Sequence, residues 1–201
     1  MRVVLATHNA HKCAELQELL AGTGIELVPL SVFTRESAVE TGLTFIENAL
    51  LKARFAAHAS GLPAIADDSG LSVDALKGAP GIYSARYAGV GASDQDNLER
   101  LLDALVETPD PHRTARYHCA LACMRFESDP APIVCHATWE GRILRAPKGT
   151  GGFGYDPIFE VNGLGCSAAE LSRADKNRLS HRGLALAQLL QALRNERRLV
   201  V

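Results

Sequence analysis

The sequence predicts an α/β fold, a mixed β-sheet flanked by helices, in one domain spanning residues 1–201. Three observations predict it. Short apolar runs alternate with capped amphipathic segments through the first third of the chain, the pattern of βαβ units. Long runs of strand-like alternation cluster later, so the sheet is not purely parallel. No internal repeat, low-complexity linker or composition break divides the chain, which leaves a single domain, its two styles of element suggesting two lobes. A groove between lobes is a natural ligand site.

The elements follow in order. Val3–Leu5 is a buried strand. Asn9 caps a helix through Lys12, Leu16, Leu19 and Leu20 that ends at Gly22. Ile25–Pro29 is a second strand, and Thr44-Phe-Ile-Glu47 is a capping box opening a helix through Leu50, Ala53 and Ala57 to Gly61. Ala64–Ala66 is a strand, the following Asp67-Asp68-Ser69-Gly70 reads as a turn, and Leu71–Val73 continues extended. Gly78-Ala-Pro-Gly81 is a loop, and Ser93 caps a helix with Leu98, Leu101, Leu102 and Leu105 on one face. Thr114–Phe126 and Ile133–Trp139 are long strands forming a hairpin, with Gly141–Leu144 a separate short one. A glycine-rich loop, Gly149–Gly154, precedes strand Ile158–Phe159, and a helix through Leu184, Leu186, Leu189, Leu190 and Leu193 closes the fold.

Composition excludes several function classes. The 21 Lys and Arg nearly balance 23 Asp and Glu, so no basic surface suits nucleic acid and no acidic run forms a tail. No stretch approaches the roughly 18 apolar residues of a membrane span, and the N-terminal apolar run is too short for a signal peptide. Five cysteines, an odd count, point to free thiols in a reducing, cytoplasmic setting. Cys119 and Cys123 lie near His118 and His136, but in alternating runs with no standard ligand spacing, so they read as small buried hydrophobes rather than a zinc site.

The densest chemistry is at Asp67-Asp68, two carboxylates at the end of an apolar run. Neighbouring strand residues face opposite ways, so one acid can meet a metal while the other serves the turn or a supporting contact. Strand ends are also where α/β folds place their chemistry. The loop Thr7-His8-Asn9-Ala10-His11-Lys12 joins a strand to a helix N-terminus, which favours an anion, although taken alone the segment fits an ordinary cap with a solvated lysine slightly better. Glu40 precedes the second helix, which carries Lys52; brought near Asp67 and Asp68, Glu40 would complete a carboxylate set suited to Mg²⁺.

Gly149-Thr-Gly-Gly-Phe-Gly154 matches G-x-G-x-x-G, but it precedes a strand rather than opening a helix, so the dinucleotide reading fails. A flexible substrate-hugging loop fits better, with Phe153 either stacking on a planar ligand or tucked into the core. His181 and Arg182 open the last helix and suit ligand donors; no nucleophile elbow supports a Ser69-His181-Asp68 triad, and no P-loop motif is present.

Six motifs in one order carry a resemblance across nearly the whole chain: Thr7-x-Asn9-x-x-Lys12, Glu40-Thr-Gly-x-Thr-Phe-x-Glu47-Asn48-Ala, Ala66-Asp67-Asp68-Ser69-Gly70-Leu71, Gly78-Ala-Pro-Gly81-Ile-Tyr-Ser84-Ala-Arg86, Gly151-Gly-Phe-Gly-Tyr-Asp156-Pro and Ser180-His181-Arg182-Gly183. Together they resemble the noncanonical purine nucleoside triphosphate pyrophosphatases, the dITP/XTP pyrophosphatases or Ham1-like proteins. The resemblance implies an elongated sheet with two lobes and a central substrate cleft, a cytoplasmic homodimer, a Mg²⁺ cofactor, and hydrolysis of ITP, dITP and XTP to monophosphate and pyrophosphate.

Carried over by position, Asp68 resembles the catalytic base, and Glu40, Asp67 and Asp68 the metal acids. Thr7, His8, Asn9, Ala10, His11, Lys12 and Lys52 resemble the triphosphate grip. Ser69, Phe153, Gly154, Tyr155, Asp156, Lys176, His181 and Arg182 resemble further substrate contacts, chiefly around the base. The alternatives are a pyrophosphatase for modified pyrimidine triphosphates and a nucleotide-binding regulator without cleavage.

Overall fold

A computed structural model describes residues 2–7 and 9–196, without the side chains of Ala10, His11 and Glu196. The elements are β1 (Arg2–Leu5), α1 (Ala10–Leu19), β2 (Glu26–Pro29), α2 (Phe45–Ser60), β3 (Ala64–Val73), α3 (Asp94–Ala104), β4 (Thr114–Met124), β5 (Ile133–Ile143), β6 (Phe159–Val161), α4 (Arg173–Leu179) and α5 (His181–Glu196). The six strands form one sheet in the order β2-β1-β3-β4-β5-β6. β1 runs parallel to both β2 and β3, whereas β6 is antiparallel to β5, so the sheet is mixed as expected. Residues 125–132 join β4 to its neighbour β5, a connection too short for a parallel crossover.

By contacts the chain separates into two compact units. The first holds the residues up to Asp68, Cys119–Ala137 and those from Arg182 on; the second holds Ser69–His118 and Thr138–His181.

In the first unit the chain steps from β1 to β2 on one side and from β2 back past β1 to β3 on the other. Crossovers of one hand taken in opposite directions put their helices on opposite faces of the sheet. The packing follows the strand period of two. Val3, Leu5, Ile65, Cys119, Leu121 and Cys123 pack with Leu16 and Leu20 of α1 and with Ala185, Leu186 and Leu189 of α5. Val4, Ala6, Ala64, Ala66, Ala120, Ala122 and Met124 pack with Ala49, Ala53, Ala56 and Ala57 of α2. Small residues on both sides let α2 lie close to its face of the sheet.

In the second unit Leu98, Leu101 and Leu105 of α3 pack with Tyr117, Trp139, Ile143, Phe159 and Ile158. Arg113, 2% exposed, gives its guanidinium to the carbonyls of Leu105, Ile143 and Leu144, so this buried cation is satisfied by backbone oxygens.

The caps form as expected. Asn9 Oδ1 accepts from Lys12 N, and Thr44 with Glu47 and Ser93 with Asp96 make reciprocal capping boxes. Gly61 ends α2 with a left-handed φ of 65°. Two expectations are corrected. β3 does not stop at the acids but runs through Asp67-Asp68-Ser69-Gly70 to Val73. Gly141 does not separate two strands but lies inside β5 opposite Val161, where a Cβ would stand 2.3 Å from the Glu160 carbonyl oxygen; only glycine admits this approach. The short helix α4 is an element that the sequence reading lacked.

Candidate active site

β1 ends at Leu5, paired with Ile65, while β3 continues past it, so Asp67 and Asp68 emerge at the carboxyl end of the parallel strands. Strand alternation sends the two carboxylates apart. Asp67 shares the parity of Ile65 and meets α1: Lys12 Nζ is 2.8 Å from Asp67 Oδ2, and Arg182 Nε lies 3.8 Å from the same oxygen. Asp68 shares the parity of Ala66 and meets α2: Lys52 Nζ is 2.6 Å from Asp68 Oδ1 and 3.1 Å from Glu40 Oε1. Each acid thus faces the lysine of the helix covering its own side of the sheet.

The surroundings drive the two carboxyls in opposite directions. Burial alone would raise Asp67, but Lys12, Arg182 and Lys52 overcome it and hold the carboxyl far below the ordinary range, an anion at any working pH. At Asp68 burial prevails over Lys52 and Lys12 and leaves the carboxyl above its usual value, with Glu40 adding to the rise. Burial would depress the Lys52 ammonium, yet Asp67, Asp68 and Glu40 outweigh it and raise it, so Lys52 is charged. Two acids tuned apart in this way are suited to different tasks.

The first loop is organised for the same end of the sheet. Thr7 Oγ1 accepts from Asn9 N at 3.2 Å, and Asn9 caps α1 so that Lys12 stands one turn in. His8 and the side chains of Ala10 and His11 lie outside the described residues. Arg182, 2% exposed, donates from Nη1 to the Glu15 carboxylate on α1 besides facing Asp67. Glu15 was missed by sequence reasoning; the available signal was its i+3 spacing from Lys12, which puts both on one helix face.

The expected three-acid metal set is not assembled. Glu40 and Asp68 converge on Lys52, but Asp67 points to the opposite face of the sheet. Among the described residues no three His, Cys, Asp or Glu side chains are grouped to hold a metal ion. Cys119 and Cys123 are buried in the core, their thiols pushed up to about 12 chiefly by burial.

The second unit gathers most of the remaining candidates. Asp156, 3% exposed, accepts from Lys176 Nζ at 2.7 Å and from Phe153 N at 2.8 Å. Lys176, on α4, also lies 4.8 Å from the centre of the Phe153 ring. Tyr155 is buried and donates its hydroxyl to the Ser84 carbonyl, and Gly154 N donates to Asp94. His181 opens α5, stacked on Tyr117 with ring centres 4.7 Å apart. Ser69 is half-buried on β3, next to Asp68.

The glycine-rich loop is tied down rather than free. Gly151 N donates to the Ala169 carbonyl, and Gly152, at a φ of 72°, leaves 2.0 Å between a Cβ and the Asp156 carboxylate. Phe153 is half-buried beside Lys176.

Fold and site together define a class: an open mixed-sheet α/β protein with two adjacent acids, each matched to a lysine, beyond its first parallel strands. The Ham1 family model matches residues 3–192, and the chain belongs to that family. It is 60% identical over 194 residues to the dITP/XTP pyrophosphatase of Shigella flexneri, covering 96% of this chain and 98% of the relative. It is 58% identical over the same shares to the dITP/XTP pyrophosphatase of Escherichia coli K12. The fold matches a HAM1 protein from Coxiella burnetii with a TM-score of 0.90 and 50% identity, covering 97% of this chain and 99% of that one. The Staphylococcus aureus Ham1 protein matches at a TM-score of 0.87 and 38% identity, over 98% of this chain and 100% of that one.

Proposed function

We propose that this chain hydrolyses noncanonical purine nucleoside triphosphates (ITP, dITP and XTP) to the monophosphate and pyrophosphate, removing deaminated purines from the nucleotide pool. The observation that carries the reading is the divided pair Asp67 and Asp68: one acid locked as an anion, its neighbour raised by burial and poised beside a lysine. The names of the curated relatives agree with it.

The chemistry is a water attack on the α-phosphorus. The water oxygen forms a bond to phosphorus, the bond to the oxygen bridging the α- and β-phosphates breaks, and pyrophosphate leaves. Asp68 accepts the water proton, a role for which a raised carboxyl is better suited than an ordinary one. Lys12, Lys52 and the backbone at the start of α1 bind the polyphosphate, with Thr7 and Asn9 shaping the turn; His8, Ala10 and His11 are proposed as part of the same grip on the resemblance alone. Asp67 keeps Lys12 and Arg182 in place.

Mg²⁺ is the proposed cofactor. An ammonium held between Asp68 and Glu40 marks a place where a cation is favoured, and two carboxylates are what Mg²⁺ takes before completing its shell with water and phosphate. When bound it would neutralise phosphate charge. Ser69, Phe153, Gly154, Tyr155, Asp156, Lys176, His181 and Arg182 are proposed as the further substrate contacts, chiefly to the purine. A donor there donates to a 6-keto oxygen but meets another donor in adenine, a mismatch that discriminates strongly. A cytoplasmic homodimer is proposed on the same resemblance; no helix among the described residues is long and apolar enough to cross a membrane.

The test is a pyrophosphate-release assay on ITP, dITP, XTP, GTP, ATP and a modified pyrimidine triphosphate, with Mg²⁺ and with EDTA. Release from the first three, at least about 100-fold above ATP in kcat/KM and abolished by EDTA, is expected. Preference for the pyrimidine, or binding without release, would overturn the reading.

A further inference from the structure

Tyr117 lies inside β4 and belongs to none of the motifs that carry the resemblance, yet it touches two of the proposed substrate contacts, His181 and Asp156. The residue is 7% exposed, and its ring has aromatic neighbours. The His181 imidazole lies against it nearly parallel, with centres 4.7 Å apart and planes 8° apart. Phe159 packs at 4.7 Å with a tilt of 56°, and Trp139 lies at 6.3 Å, nearly parallel to both Tyr117 and His181. The hydroxyl reaches Asp156 Oδ1 at 3.3 Å.

We propose that Tyr117 is a positioning residue for nucleotide binding: its ring fixes the plane of the His181 imidazole. The inference rests on the function proposed above and deepens it.

An imidazole that opens a helix turns readily about its side-chain bonds, and each turn redirects both ring nitrogens. A parallel aromatic face removes that freedom, because a rotated ring would leave the stack and collide with its neighbours. Tyr117 is itself braced by Phe159 and Trp139, so the orientation is passed to His181 from β5 and β6. The hydroxyl matters less. At 3.3 Å it is beyond the usual O–H···O distance, and Asp156 is already held by Lys176 and by Phe153 N. The ring, not the hydroxyl, is the working part.

The experiment compares the intact protein with Tyr117→Phe, Tyr117→Leu, His181→Ala and the double variant Tyr117→Leu/His181→Ala. Steady-state pyrophosphate release from dITP gives KM and kcat, and NMR of the histidine ring protons reports the stack directly. Tyr117→Leu is expected to raise KM about tenfold with kcat changed less than about threefold, and the upfield displacement that the tyrosine ring imposes on His181 disappears. Tyr117→Phe restores both the KM and the resonance position. The double variant is no worse than His181→Ala, because both substitutions remove one interaction.

Additive losses in the double variant, an unshifted His181 resonance in Tyr117→Leu, or failure of Tyr117→Phe to restore KM would overturn the inference while leaving the functional reading intact. A wild-type protein that releases no pyrophosphate from dITP, ITP or XTP would overturn both. If Tyr117→Leu does not fold, Tyr117→Met takes its place with the same readouts.

Discussion

Asp67 and Asp68 are chemically alike and one bond apart in the chain, and β3 makes them different by sending each to its own side. Substituting them separates stability from turnover. Asp68→Asn keeps the shape and removes the proton acceptor; kcat should fall by about 10²–10⁴. A carboxyl that burial raises is held at a cost when ionised, so this change should not lower the urea midpoint by more than the equivalent of about 1 kcal/mol. Asp67→Asn leaves Lys12 and Arg182 without their shared anion and should destabilise by about 3 kcal/mol in urea unfolding. Equal effects of the two substitutions on both readouts would contradict the division of roles. The pair was legible in the sequence as two acids on opposite faces. Their lysines were partly legible, because Lys12 and Lys52 lie on predicted helices. The Glu15 contact to Arg182 was not, since it joins residues 167 positions apart and only the folded chain brings them together.

Capped helix starts were the most legible elements. Asn9, Thr44 and Ser93 act on backbone N–H groups three residues away, so the signal is wholly local. Thr44→Ala should cost about 1 kcal/mol in thermal or urea unfolding, from loss of the cap at α2. Strand limits were less legible because the same residues mean different things in different contexts. Asp-Asp-Ser-Gly reads as a turn where acids are solvated, but cations on both sides of β3 let it stay extended. Gly141 reads as a break, whereas its missing side chain is what lets β5 lie against β6. Gly141→Ala should therefore disturb that pairing and cost about 2 kcal/mol, with faster amide exchange at Val161 as the local readout. The helix α4 was missed because its seven residues carry little periodicity, although Ser172 caps it through Asp175 N.

For the whole molecule the acid limb of stability follows from the carboxyls held low. Asp67 is depressed by its cations against burial, and Asp129 by hydrogen bonds from Arg125 and from the backbone of Arg125 and Ala131. A carboxyl whose native value lies below its unfolded value stabilises the fold above the unfolded value, about pH 4, and loses that contribution as pH falls through the native one. Asp68 acts with the opposite sign: its native carboxyl takes up a proton before the unfolded one, which favours the fold on acidification. Glu47, Asp74, Asp96 and Asp175 are also lowered, by hydrogen bonds at the surface, and the lowered carboxyls together outnumber Asp68, so the urea midpoint should hold from pH 7 to about 5 and decline below about 4. A midpoint that rose on acidification would show that the depressed carboxyls contribute little. The fold class was legible because alternation and caps are local. The interleaving of the two units was not, because β3, β4 and β5 each pass from one to the other with no change in composition.

The strand order also decides how the protein meets copies of itself in a crowded solution. The outermost strands, β2 and β6, are the places where an unsatisfied backbone could recruit a foreign strand and seed aggregates. β2 has four residues, opens on Glu26 beside Arg2 and closes on Pro29, which offers no N–H; β6 has three, with Glu160 clasped by Arg142. Brevity and charge guard both margins, with proline added at β2, so the sheet resists growth at either end.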